Sequence, residues 1–360
     1  MVGRKRLNVS VWNSDQAFSW YNKQGWLVGC NYLPSSCINQ IEMFQEGTFK
    51  LDEIAKEISW AKDLGFNTLR VYLHDLLWQE KDQFLIRFSN FLDCCQSFKM
   101  KPIIVLFDDC HYPFPQLGPQ PLPVRGIHNS GWKQSPGHQI VTEIFELNAQ
   151  KHLKRLQTYT QELLELYKED ERILMWDLYN EPGQFGIGEK SYTLLDYVWN
   201  WAHEIRPSQP LTSCLDGSIG NSIISLNQSK SDIITFHTYE AEKLEPTIKK
   251  LRKTGRPLMC TEYMAREYGT TFEFCLPIFK KYNIACYNWG LVAGRSQTNF
   301  NWETILYLNE ERDKGNLVKE GDSLIEPDQW FHDIFRRDGS PYSIEETTFI
   351  KKILHNKESQ

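Results

Sequence analysis

A chain of 360 residues with 41% hydrophobic composition can bury a sizeable core, and a (β/α) barrel reaches this length as one domain. The formal net charge of -6 and a pI near 5.9 provide no basic face of the kind nucleic-acid binding needs. Nine scattered cysteines form no C-x-x-C pair, which excludes zinc-ribbon and thioredoxin-type readings, and no apolar run is long enough to span a membrane.

The opening stretch, MVGRKRLNVSVWNSDQ, carries basic residues with no apolar segment after them. As written, the chain is expected to be cytoplasmic, and secreted or periplasmic only if a signal has been lost. Asn8 and Asn227 begin N-x-S triplets that matter only in the secreted case. Aromatic residues make up 13% of the chain, with 12 tryptophans. They suit a packed core, and equally a cleft in which sugar rings stack on flat side chains.

In chain order, the apolar run at 26–32 predicts a strand. Residues 51–66 predict a helix, with Leu51, Ile54, Ile58, Ala61 and Leu64 on one face and Gly65 as its stop. A strand at 67–73 and a helix at 84–98 follow, the latter aligning Phe84, Phe88, Phe91 and Cys95. The nearly unbroken apolar run at 101–109 suits a strand buried on both faces. The alternation continues with a helix at 152–167, a strand at 172–182, a helix around 192–205 and a strand at 210–216. A short helical or irregular segment leads to a strand at 232–240. A helix around 241–254, a strand at 256–263, a helix around 271–281 and a strand at 283–292 complete the series. A last helix is expected near 327–336.

Eight strand–helix units are the count of a (β/α)8 TIM barrel, here one domain over 1–360 with its core at roughly 26–340. An open doubly wound sheet would carry glycines at its first turn, and NYLPSS has none. Two long insertions, 108–148 and 291–326, follow the third and eighth strands. They therefore lie on the C-terminal rim, where barrel active sites form.

A buried strand places polar groups at its ends. Here those ends carry Asn31 and Tyr32; Arg70, His74 and Asp75; Asp108, Asp109 and His111; Asn180 and Glu181; Asp216; His237 and Tyr239; Glu262 and Tyr263; and Asn288 and Trp289. The informative pair is Glu181 after the fourth strand and Glu262 after the seventh. Retaining glycoside hydrolysis needs two facing carboxyl groups, one protonated to donate to the leaving oxygen and one ionised to attack the anomeric carbon. Pro182 fixes the backbone just after the first.

Other readings compete at single positions. Arg70 suits a structural ion pair, His237 a satisfied core histidine, and His74 and Asp75 either structure or substrate contact. Trp132, in HNSGW, is a candidate sugar platform. Asp108, Asp109 and His111 suggest a metal only in isolation, because no spaced His/carboxylate set accompanies them. GQFGIGEKS at 183–191 nearly matches a phosphate-binding loop, but Glu189 stands where the lysine belongs.

The ordered set of Arg70 on strand two, Asn180-Glu181-Pro182 after strand four, His237-x-Tyr239 on strand six, Glu262 after strand seven and Trp289 on strand eight resembles clan A glycoside hydrolases. It is most similar to glycoside hydrolase family 5 and its cellulase- or mannanase-like members, over roughly 26–290. The resemblance implies a retaining β-glycoside hydrolase with no metal or organic cofactor, acting on a carbohydrate without nucleic-acid or membrane partners. It makes Glu181 the acid/base and Glu262 the nucleophile, with Asn180 on the sugar 2-hydroxyl. Arg70 and Tyr239 would contact Glu262, His237 would line the cleft near Glu181, and Trp289 would lie under the sugar. Family members often end strand three in histidine. Here FDDCHYPFP displaces His111 into the loop. A transglycosylase with the same site, or a carbohydrate-binding barrel without catalysis, are the alternatives.

Overall fold

The computed structural model describes residues 11–322 and 325–355. Its strands are β1 (Val28–Asn31), β2 (Thr68–Tyr72), β3 (Lys101–Val105), β4 (Met175–Asp177), β5 (Leu211–Thr212), β6 (Ile234–His237), β7 (Leu258–Tyr263) and β8 (Ala285–Trp289). They form one sheet in the order β5-β4-β3-β2-β1-β8-β7-β6, with every pairing parallel. At the β5/β6 seam, Thr212 Oγ1 donates to the Ile233 carbonyl at 2.8 Å, and the Leu215 N–H donates to the Thr235 carbonyl at 2.9 Å. The result is the nearly closed (β/α)8 barrel that the alternating pattern implies.

The described helices are α1 (Ser14–Lys23), α2 (Gln40–Phe44), α3 (Leu51–Leu64), α4 (Lys81–Ser97), α5 (His138–Leu147), α6 (Gln150–Tyr167), α7 (Ser191–Ile205), α8 (Asn221–Lys230), α9 (Ala241–Leu251), α10 (Phe272–Tyr282), α11 (Glu303–Asp313) and α12 (Ile344–His355). On α3, Ile54, Ile58, Ala61 and Leu64 are buried, and Gly65 ends the helix at φ +100, a left-handed position that glycine adopts at little cost. The two insertions are partly helical, since they contain α5 and α11.

Two features depart from the sequence reading. The first is α1, which plugs the bottom of the barrel. Asn13 caps it reciprocally with Gln16. From α1 the buried Tyr21 hydroxyl donates to the carbonyls of Leu258 and Asn283 and accepts from the Ala285 N–H at 2.7 Å. The second is the expected helix near 327–336, which is irregular chain; the last helix is α12. Trp330, Phe331, Ile334 and Phe335 are buried at helix-like spacing. However, the Arg266 guanidinium takes the carbonyls of Trp330, His332 and Asp333 that a helix would use. Arg266 is itself held by Glu346 of α12 at 2.6 Å.

Of the two N-x-S triplets, Asn8 lies outside the described residues. Asn227 is fully buried, accepting from Trp199 Nε1 and donating to the Cys214 carbonyl, so the folded chain offers it to no modifying enzyme.

Tyr21→Phe leaves the Ala285 N–H without its partner inside the barrel floor. It is expected to lower stability by about 1–3 kcal/mol. Urea unfolding of the variant beside wild type measures this, and coincident curves would show that the floor needs no such partner.

Candidate active site

The rim of the barrel holds a cavity of about 1020 Å³ lined by the ends of β4, β6, β7 and β8 and by both long insertions. Beneath it, inside the barrel, lies Arg70. Its position on β2 directs the side chain inward, and it is fully buried. Every arm of the guanidinium has a partner. Nε and Nη2 donate to Asp177 Oδ2 at 3.1 and 2.8 Å, and Nη2 also donates to Asn180 Oδ1 at 2.8 Å. Nη1 donates to Asn31 Oδ1 at 2.8 Å, to Glu262 Oε1 at 2.9 Å and to the Tyr72 hydroxyl.

Glu262 is therefore gripped on both oxygens. Oε1 accepts from Arg70 and from the Tyr72 hydroxyl, and Oε2 accepts from the Tyr239 hydroxyl at 2.7 Å. Burial pushes its pKa up. The charges of His237 and Arg70, with the hydroxyls of Tyr239 and Tyr72, outweigh that and hold it below the ordinary carboxylate value. The β6–β7 and β7–β8 registers shift near His237 and Glu262, irregularities of the kind that re-aim side chains at barrel rims.

Glu181 is held differently. Its backbone is left-handed, at φ 44, an uncommon state for a glutamate. The turn that imposes this is fixed from below by buried Asp109, which accepts from the Gly183 N–H at 2.7 Å, Ser191 Oγ at 2.5 Å and the Tyr179 hydroxyl at 2.7 Å. Its carboxylate accepts from His237 Nδ1 at 2.6 Å and from the Cys110 thiol at 3.1 Å. His237 Nδ1 is also 3.5 Å from Glu262 Oε2. Burial lowers the imidazole pKa, but the two carboxylates more than compensate, and the pKa stands above its ordinary value.

One oxygen of each glutamate and the His237 nitrogen lie within 4.8 Å of one another. Retaining carboxyl pairs are separated by about 5–5.5 Å, and inverting pairs by about 6.5–9.5 Å. The same three groups are the one metal-ligating cluster among the described residues. Arg70 already supplies a positive charge to Glu262, which disfavours a cation there.

Of the residues singled out from sequence, Asn180, Glu181, His237, Tyr239, Glu262, Trp289, Trp132 and His111 all line this cavity, and Arg70 lies behind Glu262. Asp108 and Asp109 have their oxygens taken by protein donors. Asp108 accepts from Trp132 Nε1, Asn180 Nδ2 and the Cys110 N–H, and burial pushes its pKa up to about 7. His74 and Asp75 are structural: they hold Gln134, Ser135 and Arg155. Sequence reasoning missed Asp177, Tyr72, Cys110 and Asn129. Asp177 left a trace, since it interrupts the apolar run from Ile173 to Tyr179.

A nearly closed parallel barrel with two such carboxylates at its C-terminal mouth is the arrangement of a retaining β-glycoside hydrolase. The chain belongs to the cellulase family, glycosyl hydrolase family 5, whose family description matches residues 38–294. A search of curated proteins finds no match.

Solved structures share the fold. An endo-1,4-β-D-mannanase from Thermotoga petrophila is 14% identical, with 91% of this chain and 99% of that one covered at a TM-score of 0.56. An exo-β-1,4-mannosidase from an Opitutaceae bacterium is 17% identical, covering 91% and 59% at 0.58. A GH5_18 protein from Streptomyces cattleya, solved with Manβ1-4GlcNAc, is 11% identical, covering 93% and 82% at 0.61.

Gly217, at φ +109, faces this pair. A Cβ there would lie 2.8 Å from Glu181 Oε1 and 2.9 Å from His237 Nδ1. Gly217→Ala is expected to cut kcat by about 100-fold with the fold intact by circular dichroism. A wild-type kcat would show that Glu181 can retreat without cost. Tyr239→Phe removes a hydrogen bond that favours ionised Glu262, so the Glu262 pKa rises. The acid limb of kcat/KM against pH should move to higher pH while the alkaline limb stays. An unmoved acid limb would assign the whole depression to the other groups around Glu262.

Proposed function

We propose that Glu262 is the nucleophile and Glu181 the acid/base of a double displacement on a β-linked glycoside. The observation that carries this is the asymmetry of the pair. Glu262 is clasped by a guanidinium and two phenols and held ionised, whereas Glu181 contacts a thiol and an imidazole that it shares with Glu262. In the first step, a Glu262 oxygen bonds to the anomeric carbon as the glycosidic C–O bond breaks, and Glu181 gives its proton to the departing oxygen. In the second, Glu181 takes a proton from water while the water oxygen attacks that carbon and the ester bond to Glu262 breaks. Two inversions give retention.

In this reading Asn180 contacts the 2-hydroxyl. Arg70 and Asp108 fix its amide at 2.8 and 2.9 Å, so it presents one orientation to the sugar. Trp289 lines the cavity half-buried, which supports reading it as the platform beneath the ring. The names of the solved mannanase and mannosidase, and the Manβ1-4GlcNAc held by the third structure, support β-mannosides as the first glycones to test.

The roles are separated by chemical rescue on aryl β-glycosides. Glu262→Ala should be inactive, and azide should restore turnover with an α-glycosyl azide as product. Glu181→Ala should lose about 10²–10⁴-fold on substrates with poor leaving groups and much less on activated ones. With azide it should yield the β-glycosyl azide. The opposite stereochemistry from either variant would exchange the two roles.

A further inference from the structure

The cavity is not symmetric about its two carboxylates. On the roles proposed above, which this inference rests on, the glycone lies toward Glu262 and Trp289. The aglycone leaves past Glu181. On the Glu181 side the cavity continues along Gln184, Asp216, Glu240 and Lys243. On the glycone side it stops at Trp132, which is 4% exposed. The Trp132 ring meets Tyr72 edge-on at 5.1 Å and lies 5.8 Å from Trp289. Behind these rings, over β1 and β8, the remaining hole measures about 20 Å³. That holds a water molecule and no sugar.

This wall is built, not draped. The insertions after β3 and β8 are laced together across the mouth. The Asn129 N–H donates to the Ser296 carbonyl at 2.8 Å, and the Arg125 N–H to the Lys319 carbonyl at 2.9 Å. Gln297 accepts from the Gly126 N–H at 2.8 Å and donates to the Val124 carbonyl at 2.7 Å. Trp132 Nε1 donates to Asp108 Oδ2 at 2.6 Å, so the blocking ring is pinned to the carboxylate that also orients Asn180. A cleft acting within a long chain must run past the carboxylates in both directions. This one has a fixed end.

One polar group at the blind end lacks a protein partner. Asn129 is 1% exposed, lines the cavity and holds a left-handed backbone at φ 47. Its Nδ2 lies 3.3 Å from His111 Nε2, and its Oδ1 is buried with no hydrogen bond. A buried carbonyl oxygen in that state is stabilised when a ligand hydroxyl donates to it.

We propose that this chain acts on the non-reducing end of its substrate, releasing one β-linked monosaccharide at a time, and that Asn129 Oδ1 accepts a hydrogen bond from a hydroxyl of that terminal sugar. Lengthening of the substrate is accommodated on the Glu181 side alone.

The test uses the full chain with borohydride-reduced β-1,4-linked pentaoses of mannose, glucose and xylose, and the matching 4-nitrophenyl β-glycosides. The inference expects a free monosaccharide and a tetrasaccharide alditol as the first products, together with turnover of the matching aryl monoglycoside. An unreduced disaccharide or longer unreduced fragment among the first products overturns the inference and leaves the double displacement standing. No cleavage of any of these substrates by folded wild type overturns the hydrolytic reading itself. For Asn129, monodeoxy analogues of the accepted aryl glycoside are compared. Wild type should discriminate against one of them by ~10-fold or more, and Asn129→Ala should lose that discrimination. A variant that keeps the wild-type pattern across all analogues removes Asn129 from sugar recognition.

Discussion

The site depends on one buried cation. A guanidinium inside a barrel is tolerated only when its donors are matched, because an unpaired buried charge costs several kcal/mol. Arg70 meets this condition through four residues from three other strands and their ends: Asn31, Asp177, Asn180 and Glu262. Each of these loses its orientation if the barrel closes in another register. The cation thus makes closure of the barrel and assembly of the site one event. Asp177 has a separate part in this. Its ion pair with Arg70 at 2.8 Å is independent of Glu262. On the proposed roles, Glu262 loses its charge when it becomes an ester in the glycosyl-enzyme, and Arg70 still has a counter-ion in Asp177. A barrel with Glu262 as the sole anion would strand the cation halfway through each turnover.

The acid side is built on the opposite principle. Among the described residues, Glu181 has no cation beside it other than the imidazole it shares with Glu262. Its placement comes from backbone geometry: a left-handed residue ahead of Pro182, a buried aspartate holding the next turn, and a glycine opposite where a Cβ would collide. Strain of this kind persists where surrounding contacts over-determine the backbone. A proton donor must change charge twice in each cycle. On the proposed roles, the proton donor is positioned largely by backbone constraint and the nucleophile largely by charge, with His237 as a support that the two share.

Much of this was legible in the sequence, because a parallel barrel converts chain order into space. Once eight apolar runs alternate with helical segments, the ends of the runs must meet at one rim. Glu181 and Glu262 then face each other by topology. Asp177 escaped because its inward direction depends on which residue of β4 faces the axis, and a single acid within an apolar run does not state its partner. The floor helix and the 327–336 segment escaped for a related reason. Tyr21 answers a donor on Ala285, and the carbonyls after Trp330 answer Arg266. Both are pairings across long stretches of chain that no local periodicity encodes.

The chemistry was easier to read than the substrate for the same reason. The reacting groups sit on strand ends, whose positions the fold dictates. The wall at Trp132 is made by two loops, from Val124 near one insertion's middle to Ser296 and Gln297 in the other, separated by about 170 residues of chain. Loops carry no period, and their contacts follow from individual side chains finding individual partners. Trp132 shows the consequence. From sequence it was a candidate sugar platform. In the fold it is pinned by Asp108 against Tyr72 and Trp289, and it marks where the cavity stops. A barrel can keep its two glutamates and change its substrate by moving that one wall.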